Sequence, residues 1–409
     1  MAQTIFTVIV GILIFDYLLS RLLDYLDNSR WSPTLPELLK GIYNEEKYKK
    51  AQEYDKANSK FGLLAGTFSF IVMLSMLFFE GFAYADKLVR SYTDNSIYMA
   101  ILFFGSLTLA SSIINAPFGW YSTFVIEEKF GFNKTTLKTY LLDMVKGALL
   151  GALIGGGLLS LIVWFYDTLG DNFWVYTWIV VSGFSIFMAM FYTSFIVPIF
   201  NKLTPLPDGE LRDEIEKYAN TQNFDLKNIF VIDGSKRSTK ANAYFSGLGS
   251  KKSIVLYDTL IENQTKEELV AILAHEVGHY KKKHTQVSIV LSVFQTGITF
   301  YIMSLLLGNK ELSMALGIEE TSFHIGILVF GMLYSPISMV LGIGMNILSR
   351  KNEYEADDFA KTTYKAEALE SALKKLSIDN LSNLTPHPLN VFLGYSHPTL
   401  LQRLENLKK

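Results

Sequence analysis

The chain has no cysteine. Disulfides are excluded, and so is any thiolate ligand, so a metal site here must be built from histidine and carboxylate. With no thiol to oxidise, redox chemistry says nothing about the compartment. Histidine is scarce, six in 409 residues. An excess of charge of one sign is missing too: 37 Lys and Arg face 39 Asp and Glu, for a net charge of −2. No basic–aromatic patch stands out, so nucleic acid is not an expected partner. Internal repeats and low-complexity tracts are absent.

Apolar residues are plentiful. They make up half of the chain, with 30 Phe and 22 Tyr, too many for an ordinary soluble protein of this length. Seven stretches are long enough to cross about 30 Å of hydrocarbon as helices: residues 5–26, 61–83, 97–116, 147–166, 174–200, 286–307 and 325–347. The first lacks a basic leader and a small-residue cleavage site, and Asp16 interrupts it, so it reads as a retained anchor rather than a signal peptide. Asp16 either lines a polar interior or packs against a neighbouring helix.

Lysine and arginine set the orientation. The loop after the first stretch carries Arg30, Lys40, Lys47, Lys49, Lys50, Lys56 and Lys60. Lys129, Lys134 and Lys138 follow the third, Lys202 to Lys283 frame the segment after the fifth, and Arg350 and Lys351 follow the seventh. The opposite loops hold only Lys87, Arg90 and Lys310. The alternation predicts an outside N-terminus, with the C-terminus and every large segment in the cytosol. The expected division is 1–200 (five membrane helices with loops 27–60 and 117–146), 201–285 (a cytosolic segment), 286–347 (two membrane helices) and 348–409 (a second cytosolic segment).

Segment 201–285 opens with the loop signal Pro205, Pro207 and Gly209. A polar helix is predicted at 209–221, then β-like runs at 229–232, 242–245 and 253–256. A helix resumes near Thr265, where Thr265 and Glu268 have capping-box spacing. It leads into His275-Glu276-Val277-Gly278-His279. This is H-E-x-x-H, in which two histidines one helical turn apart bind zinc and the glutamate acts on the water the metal activates. Segment 348–409 is predicted helical over 348–377 and again after Pro398.

Height supplies a third ligand. His279 lies about six residues before the sixth stretch and Glu353 about six after the seventh, each roughly 9 Å outside the membrane on the same side. His275, His279 and Glu353 would then leave a fourth position open, as in a catalytic rather than a structural zinc site. Asp357, one turn after Glu353, is placed to accept the other ring N–H of a zinc histidine. The competing reading is a solvated acidic face formed by Glu353, Glu355, Asp357 and Asp358. His284, beside three lysines, reads as an interfacial residue and is not assigned to the metal. His387 has no assigned role, and His324 faces the opposite side.

These residues carry a resemblance. Tyr48-Lys49-Lys50-Ala51-Gln52, the run 123–132 with Asn133, Pro198-Ile199-Phe200-Asn201-Lys202, Asn242-Ala243-Tyr244-Phe245, the histidine motif, Glu353-Tyr354-Glu355-Ala356-Asp357 and Ser396-His397-Pro398 stand in family order over nearly the whole chain. The sequence resembles the type I CAAX prenyl proteases, integral-membrane zinc endopeptidases that trim prenylated proteins. The resemblance implies one zinc per chain, held by His275, His279 and Glu353, with Glu276 as catalytic base. It implies that Asn242, Ala243, Tyr244 and Phe245 form an edge strand pairing with bound peptide, and that His397 and Arg403 are polar groups near the reacting carbonyl. It also implies seven membrane helices around a hollow chamber.

The resulting expectation is an all-α membrane protein with a small cytosolic α+β zinc-protease domain, acting as a monomer on a peptide or protein substrate, prenylated or not. The C-terminal Leu407-Lys408-Lys409 lacks the lysine-based retrieval signal of eukaryotic members, which points to a bacterial inner membrane, with the endoplasmic reticulum as the alternative. Two other classes compete: a metal-gated transporter and a quality-control scaffold that binds without cutting. The first predicts ionisable residues repeated at mid-membrane depth. The second predicts loss of the base, yet Glu276 is intact.

Overall fold

The computed structural model describes residues 1–31, 35, 37–224, 226, 228–247 and 253–409. It is mostly helical. Helices α1 (Ala2–Ser29), α2 (Glu45–Phe78), α3 (Gly81–Arg90), α4 (Ser96–Tyr121), α5 (Leu137–Leu150), α6 (Gly156–Leu169), α7 (Phe173–Phe195) and α8 (Val197–Phe200) form the first half. The second half holds α9 (Glu210–Thr221), α10 (Asp258–Asn263), α11 (Lys266–Lys281), α12 (His284–Leu306), α13 (Lys310–Met314), α14 (Phe323–Thr363), α15 (Ala366–Asp379), α16 (Pro388–Gly394) and α17 (Leu400–Lys408).

Among the described residues, six helical stretches are long and apolar enough to cross a membrane. Two of the seven expected stretches fall inside one of them, Leu137–Phe200. A short π-helical segment joins α5 to α6, and the chain then turns at Gly170–Asn172 before α7. Gly170 takes φ 53°, a left-handed conformation that glycine adopts without strain. The outward faces carry exposed Leu153, Ile179, Val290 and Phe294, as a lipid-facing surface requires. Asp16 meets a neighbouring helix: its carboxylate accepts a hydrogen bond from Ser335 of α14 at 2.6 Å.

The small sheet has strand order β1-β2-β4-β3: β1 (Leu203–Pro205), β2 (Asn228–Ile232), β3 (Ala243–Ser246) and β4 (Ser253–Tyr257). β2 and β4 run parallel, and the other pairs are antiparallel. Three strands match the expected runs. The loop expected at Pro205 is instead the end of β1, since an edge strand tolerates a missing N–H. β3 occupies the opposite edge and pairs only with β4 among the described residues.

Two expectations change. The histidine helix does not run on into the sixth membrane stretch, because α11 ends at Lys281 and Lys283 turns the chain at φ 61°. The expected helix over 348–377 breaks at Tyr364 and Lys365, between α14 and α15. The core under the sheet joins Ile254 and Leu256 of β4, Ile215 and Tyr218 of α9, Leu369 and Leu373 of α15, and the run from Leu269 to Ala274 with Val277 of α11.

Candidate metal centre

The site is built where α11 crosses α14. Leu269, Val270, Ala271, Ile272 and Leu273 are all buried, so the middle of α11 is enclosed by the core on every side. Its start is fixed by the capping box of Thr265 and Glu268. Glu268, itself buried, also accepts hydrogen bonds from Ser371 (2.6 Å) and Lys375 (2.7 Å) of α15. Gly278 is the contact point. A Cβ added there would lie 3.1 Å from the Cα and carbonyl oxygen of Ala356, so glycine is what allows the two helices to close. Ala356 stands between Glu353 and Asp357, and the close crossing presses both carboxylates against the motif histidines.

The Nε2 atoms of His275 and His279 are 3.1 Å apart. Glu353 Oε1 lies 3.2 Å from His279 Nε2, and Glu353 Oε2 lies 3.5 Å from His275 Nε2. Glu353 Oε2 is buried and has no hydrogen-bond partner among the described residues. The three ligand atoms lie within 4.8 Å of one another. The other ring nitrogens are engaged elsewhere: His275 Nδ1 is 2.8 Å from Asp357 Oδ1, and His279 Nδ1 is 3.0 Å from His284 Nδ1. Two imidazole nitrogens and an unsatisfied carboxylate oxygen thus face one point. That donor set fits a divalent cation bound by nitrogen and oxygen.

Asp357 and Arg403 form a buried bidentate pair, with Arg403 Nε at 2.9 Å and Nη2 at 2.6 Å from the two carboxylate oxygens. Nη1 of Arg403 lies 3.5 Å from Glu353 Oε2. Burial and the neighbouring guanidinium push the His275 pKa down. The nearby carboxylates of Asp357 and Glu353 outweigh both and raise it to about 9.

Glu276 is half-buried and lines a cavity of about 370 Å³ together with His275, His279, Glu353, His397 and Arg403. Asn242, Ala243, Tyr244 and Phe245 form another wall of the same cavity. The strand itself starts at Ala243, and Asn242 stands just before it, its carbonyl accepting from Tyr257 N. His397 is 65% exposed, with Nε2 3.5 Å from Glu353 Oε1. A second cavity of about 910 Å³, walled by Met188, Tyr192, Phe200 and Tyr257, opens onto Glu276 and His279 from the membrane helices.

Sequence reasoning missed His284. It is not an interfacial side chain but is buried against His279, with Nε2 3.1 Å from Glu355 Oε2. The other histidines lie elsewhere. His387 caps α16 by accepting from Leu389 N, and His324 is paired with Asp86 at the far end of α14.

A helical membrane body with a largely buried His–His–Glu cluster, a carboxylate in the H-E-x-x-H position and an edge strand of the sheet beside it defines a membrane metallopeptidase. Residues 25–202 match the family described as "CAAX prenyl protease N-terminal, five membrane helices", and residues 205–409 match peptidase family M48. The chain is 35% identical to "CAAX prenyl protease 1 homolog" of Arabidopsis thaliana, over 99% of this chain and 97% of the relative. It is 33% identical to "CAAX prenyl protease 1" of Saccharomyces cerevisiae, over 98% and 94%. The crystal structure of S. mikatae Ste24p superposes with a TM-score of 0.94 at 32% identity, covering 99% of both chains. The chain belongs to peptidase family M48, among the CAAX prenyl proteases of type 1, and is a multi-pass membrane protease.

Proposed function

We propose that the protein is a zinc endopeptidase of the CAAX-processing type, acting on protein substrates at the cytosolic edge of the membrane. One observation carries the reading: His275, His279 and Glu353 converge on a point flanked by Glu276 and the edge strand β3. His275, His279 and Glu353 would hold the zinc, which when bound supplies the Lewis acidity that acidifies water and polarises a carbonyl.

The protein's own groups do the rest. The β3 edge with Asn242 pairs with the substrate backbone as an added strand, which orients the scissile bond across the cavity. Glu276 takes a proton from the attacking water and passes it to the leaving amine. His397 and Nη1 of Arg403 donate to the developing oxyanion; a well-placed donor of this kind is worth about 3–4 kcal/mol. Nε and Nη2 of Arg403 are held by Asp357, so the guanidinium is fixed before substrate arrives.

Length supports a reading of the membrane topology. At 1.5 Å per residue, 64 helical residues would extend about 96 Å, three times the hydrocarbon thickness. We therefore read Leu137–Phe200 as two crossings meeting at Gly170, which gives seven in all. The 910 Å³ cavity would be part of a chamber among these helices, reaching the metal centre from the membrane side. The basic loops support a site on the cytosolic side. The relatives compared are eukaryotic and lend nothing to a bacterial inner membrane. We expect a monomer.

The test pairs Glu276→Gln with a reporter peptide bearing or lacking an isoprenoid. The variant should keep its zinc and lose about 10²- to 10⁴-fold in rate. Wild-type cleavage by the zinc-loaded variant would sink the mechanism. Equal cleavage of both peptides would separate prenyl recognition from the activity.

A further inference from the structure

His279 and His284 are five residues apart, and on one continuous helix they would point about 140° away from each other. They meet because the chain breaks between α11 and α12. Lys283 takes the left-handed conformation, φ 61°, and swings His284 back over His279. The rings stand at 74° with centroids 5.1 Å apart. His284 is 6% exposed, and its second nitrogen reaches Glu355 Oε2 at 3.1 Å. Lys351 Nζ lies 3.7 Å from Glu355 Oε1.

If His279 binds a metal through Nε2, only one proton arrangement satisfies this chain of atoms. His279 must carry its proton on Nδ1 and donate it to Nδ1 of His284. His284 Nδ1 must then be bare, so its proton sits on Nε2 and is donated to Glu355 Oε2. Each step has a donor facing an acceptor. His275 is held differently, by Asp357 and Arg403. The two ligand histidines therefore have separate supports.

We propose that His284 is a positioning residue that fixes the tautomer and ring orientation of His279, with Glu355 anchoring it from α14. The proposal rests on the metal-site reading above. A metal histidine's second N–H is ordinarily taken by a carboxylate, carbonyl or water, and losing such a partner weakens metal binding about 10- to 100-fold. Here an imidazole from the start of the next helix fills that place. The arrangement ties the turn at Lys282–Lys283, and with it the entry into α12, to the metal centre.

The test uses the full-length protein in detergent. Zinc affinity is measured by competition with a chromogenic chelator, beside kcat/KM at saturating zinc and thermal unfolding of the metal-free protein. His284→Leu should bind zinc about 10- to 100-fold more weakly. His284→Asn keeps an oxygen acceptor where Nδ1 stands and should recover most of that loss, although it fills the site less well than histidine. Glu355→Ala should weaken zinc binding less, in the same direction. Unchanged affinity in His284→Leu, or an Asn variant as weak as the Leu variant while both unfold like wild type, would overturn the proposal. If His284→Leu does not fold, the Asn and Glu355→Ala variants still decide, since wild-type zinc affinity in Glu355→Ala also counts against it. A wild-type protein that binds no zinc, or keeps its zinc in His275→Ala, would instead refute the metal-site reading itself.

Discussion

Two buried histidine–carboxylate clusters sit toward opposite ends of α14. At one end, His324 Nε2 lies 2.6 Å from Asp86 Oδ1, Arg90 Nε donates to Asp86 Oδ2 at 2.8 Å, and Arg90 Nη1 reaches Glu320 at 2.6 Å. The His324 ring packs on Phe103, 4.8 Å between centroids. Twenty-nine residues on, about 44 Å along the helix, Glu353 faces His275 and His279. The residue types are the same, but the bonding is not. Both oxygens of Asp86 are engaged, so the cluster is closed to a metal, and its atom without a partner among the described residues, Arg90 Nη2, is a cationic donor that cannot ligate one. At the other end two Nε2 atoms face each other and a buried carboxylate oxygen has no hydrogen bond. What marks a site is thus convergence of unsatisfied donor atoms beside a cavity, because burying such atoms is costly unless something binds them.

The largest effect should come from removing a converging ligand. His279→Ala or Glu353→Ala should leave less than stoichiometric zinc by elemental analysis and no measurable cleavage, because the site would drop to two protein ligands. Stripping zinc from the wild-type protein with a chelator should do the same, and adding zinc back should restore cleavage. Stoichiometric zinc in either variant would break the distinction between the two clusters.

Next in size is Gly278→Val. Its side chain would meet Ala356 backbone atoms at about the 3.1 Å already found for a bare Cβ. The helices must separate, at a cost of about 1–3 kcal/mol for overpacking. Since Glu353 and Asp357 flank Ala356, zinc affinity should fall together with the melting temperature. A loss of stability with unchanged zinc affinity would mean that the crossing does not set the ligand geometry.

Asp357→Asn should be milder. An amide can present its N–H to His275 Nδ1 and favour the wrong tautomer, so zinc binding should weaken about 10- to 100-fold. Activity at saturating zinc should fall less than in the ligand variants. Equal zinc affinity in Asp357→Asn and wild type would reduce Asp357 to a partner of Arg403 alone.

Much of this was legible in the sequence, for identifiable reasons. The membrane helices announce themselves by length and apolarity. Thr265 and Glu268 marked the start of α11 because capping is local chemistry. Glu353 was reachable because height above a membrane is a one-dimensional argument, although one of its premises was wrong. The His279 side does not rise on a continuous helix from the sixth stretch. The three candidate ligands meet instead by direct crossing of α11 and α14 at Gly278. His284 was misread for the same reason. A left-handed lysine at 283 carries no sequence signal, since only asparagine, aspartate and glycine commonly advertise that conformation. The break after Thr363 was hidden likewise, with neither proline nor glycine to mark it. Local chemistry was readable, while turns made by ordinary residues and the contacts they create were not.

The smallest effect on catalysis should come from the closed cluster, and it tests the comparison most directly. Asp86→Ala leaves the His324 ring and the Arg90 guanidinium without the carboxylate that joins them. Removing one partner of a buried ionic group typically costs about 3–5 kcal/mol. Arg90 is partly exposed and keeps Glu320, so the loss should lie at or below the lower end of that range. His324→Gln should cost less, because an amide can still donate to Asp86. In both variants the folded fraction should hold one zinc and cleave within about twofold of wild type, since the cluster lies about 44 Å along α14 from Glu353. A lower melting temperature with unchanged kcat/KM per folded molecule is the expected pair of results. A large fall in kcat/KM with zinc still bound would show that the far end of α14 is coupled to the centre, and the two clusters would then be parts of one device.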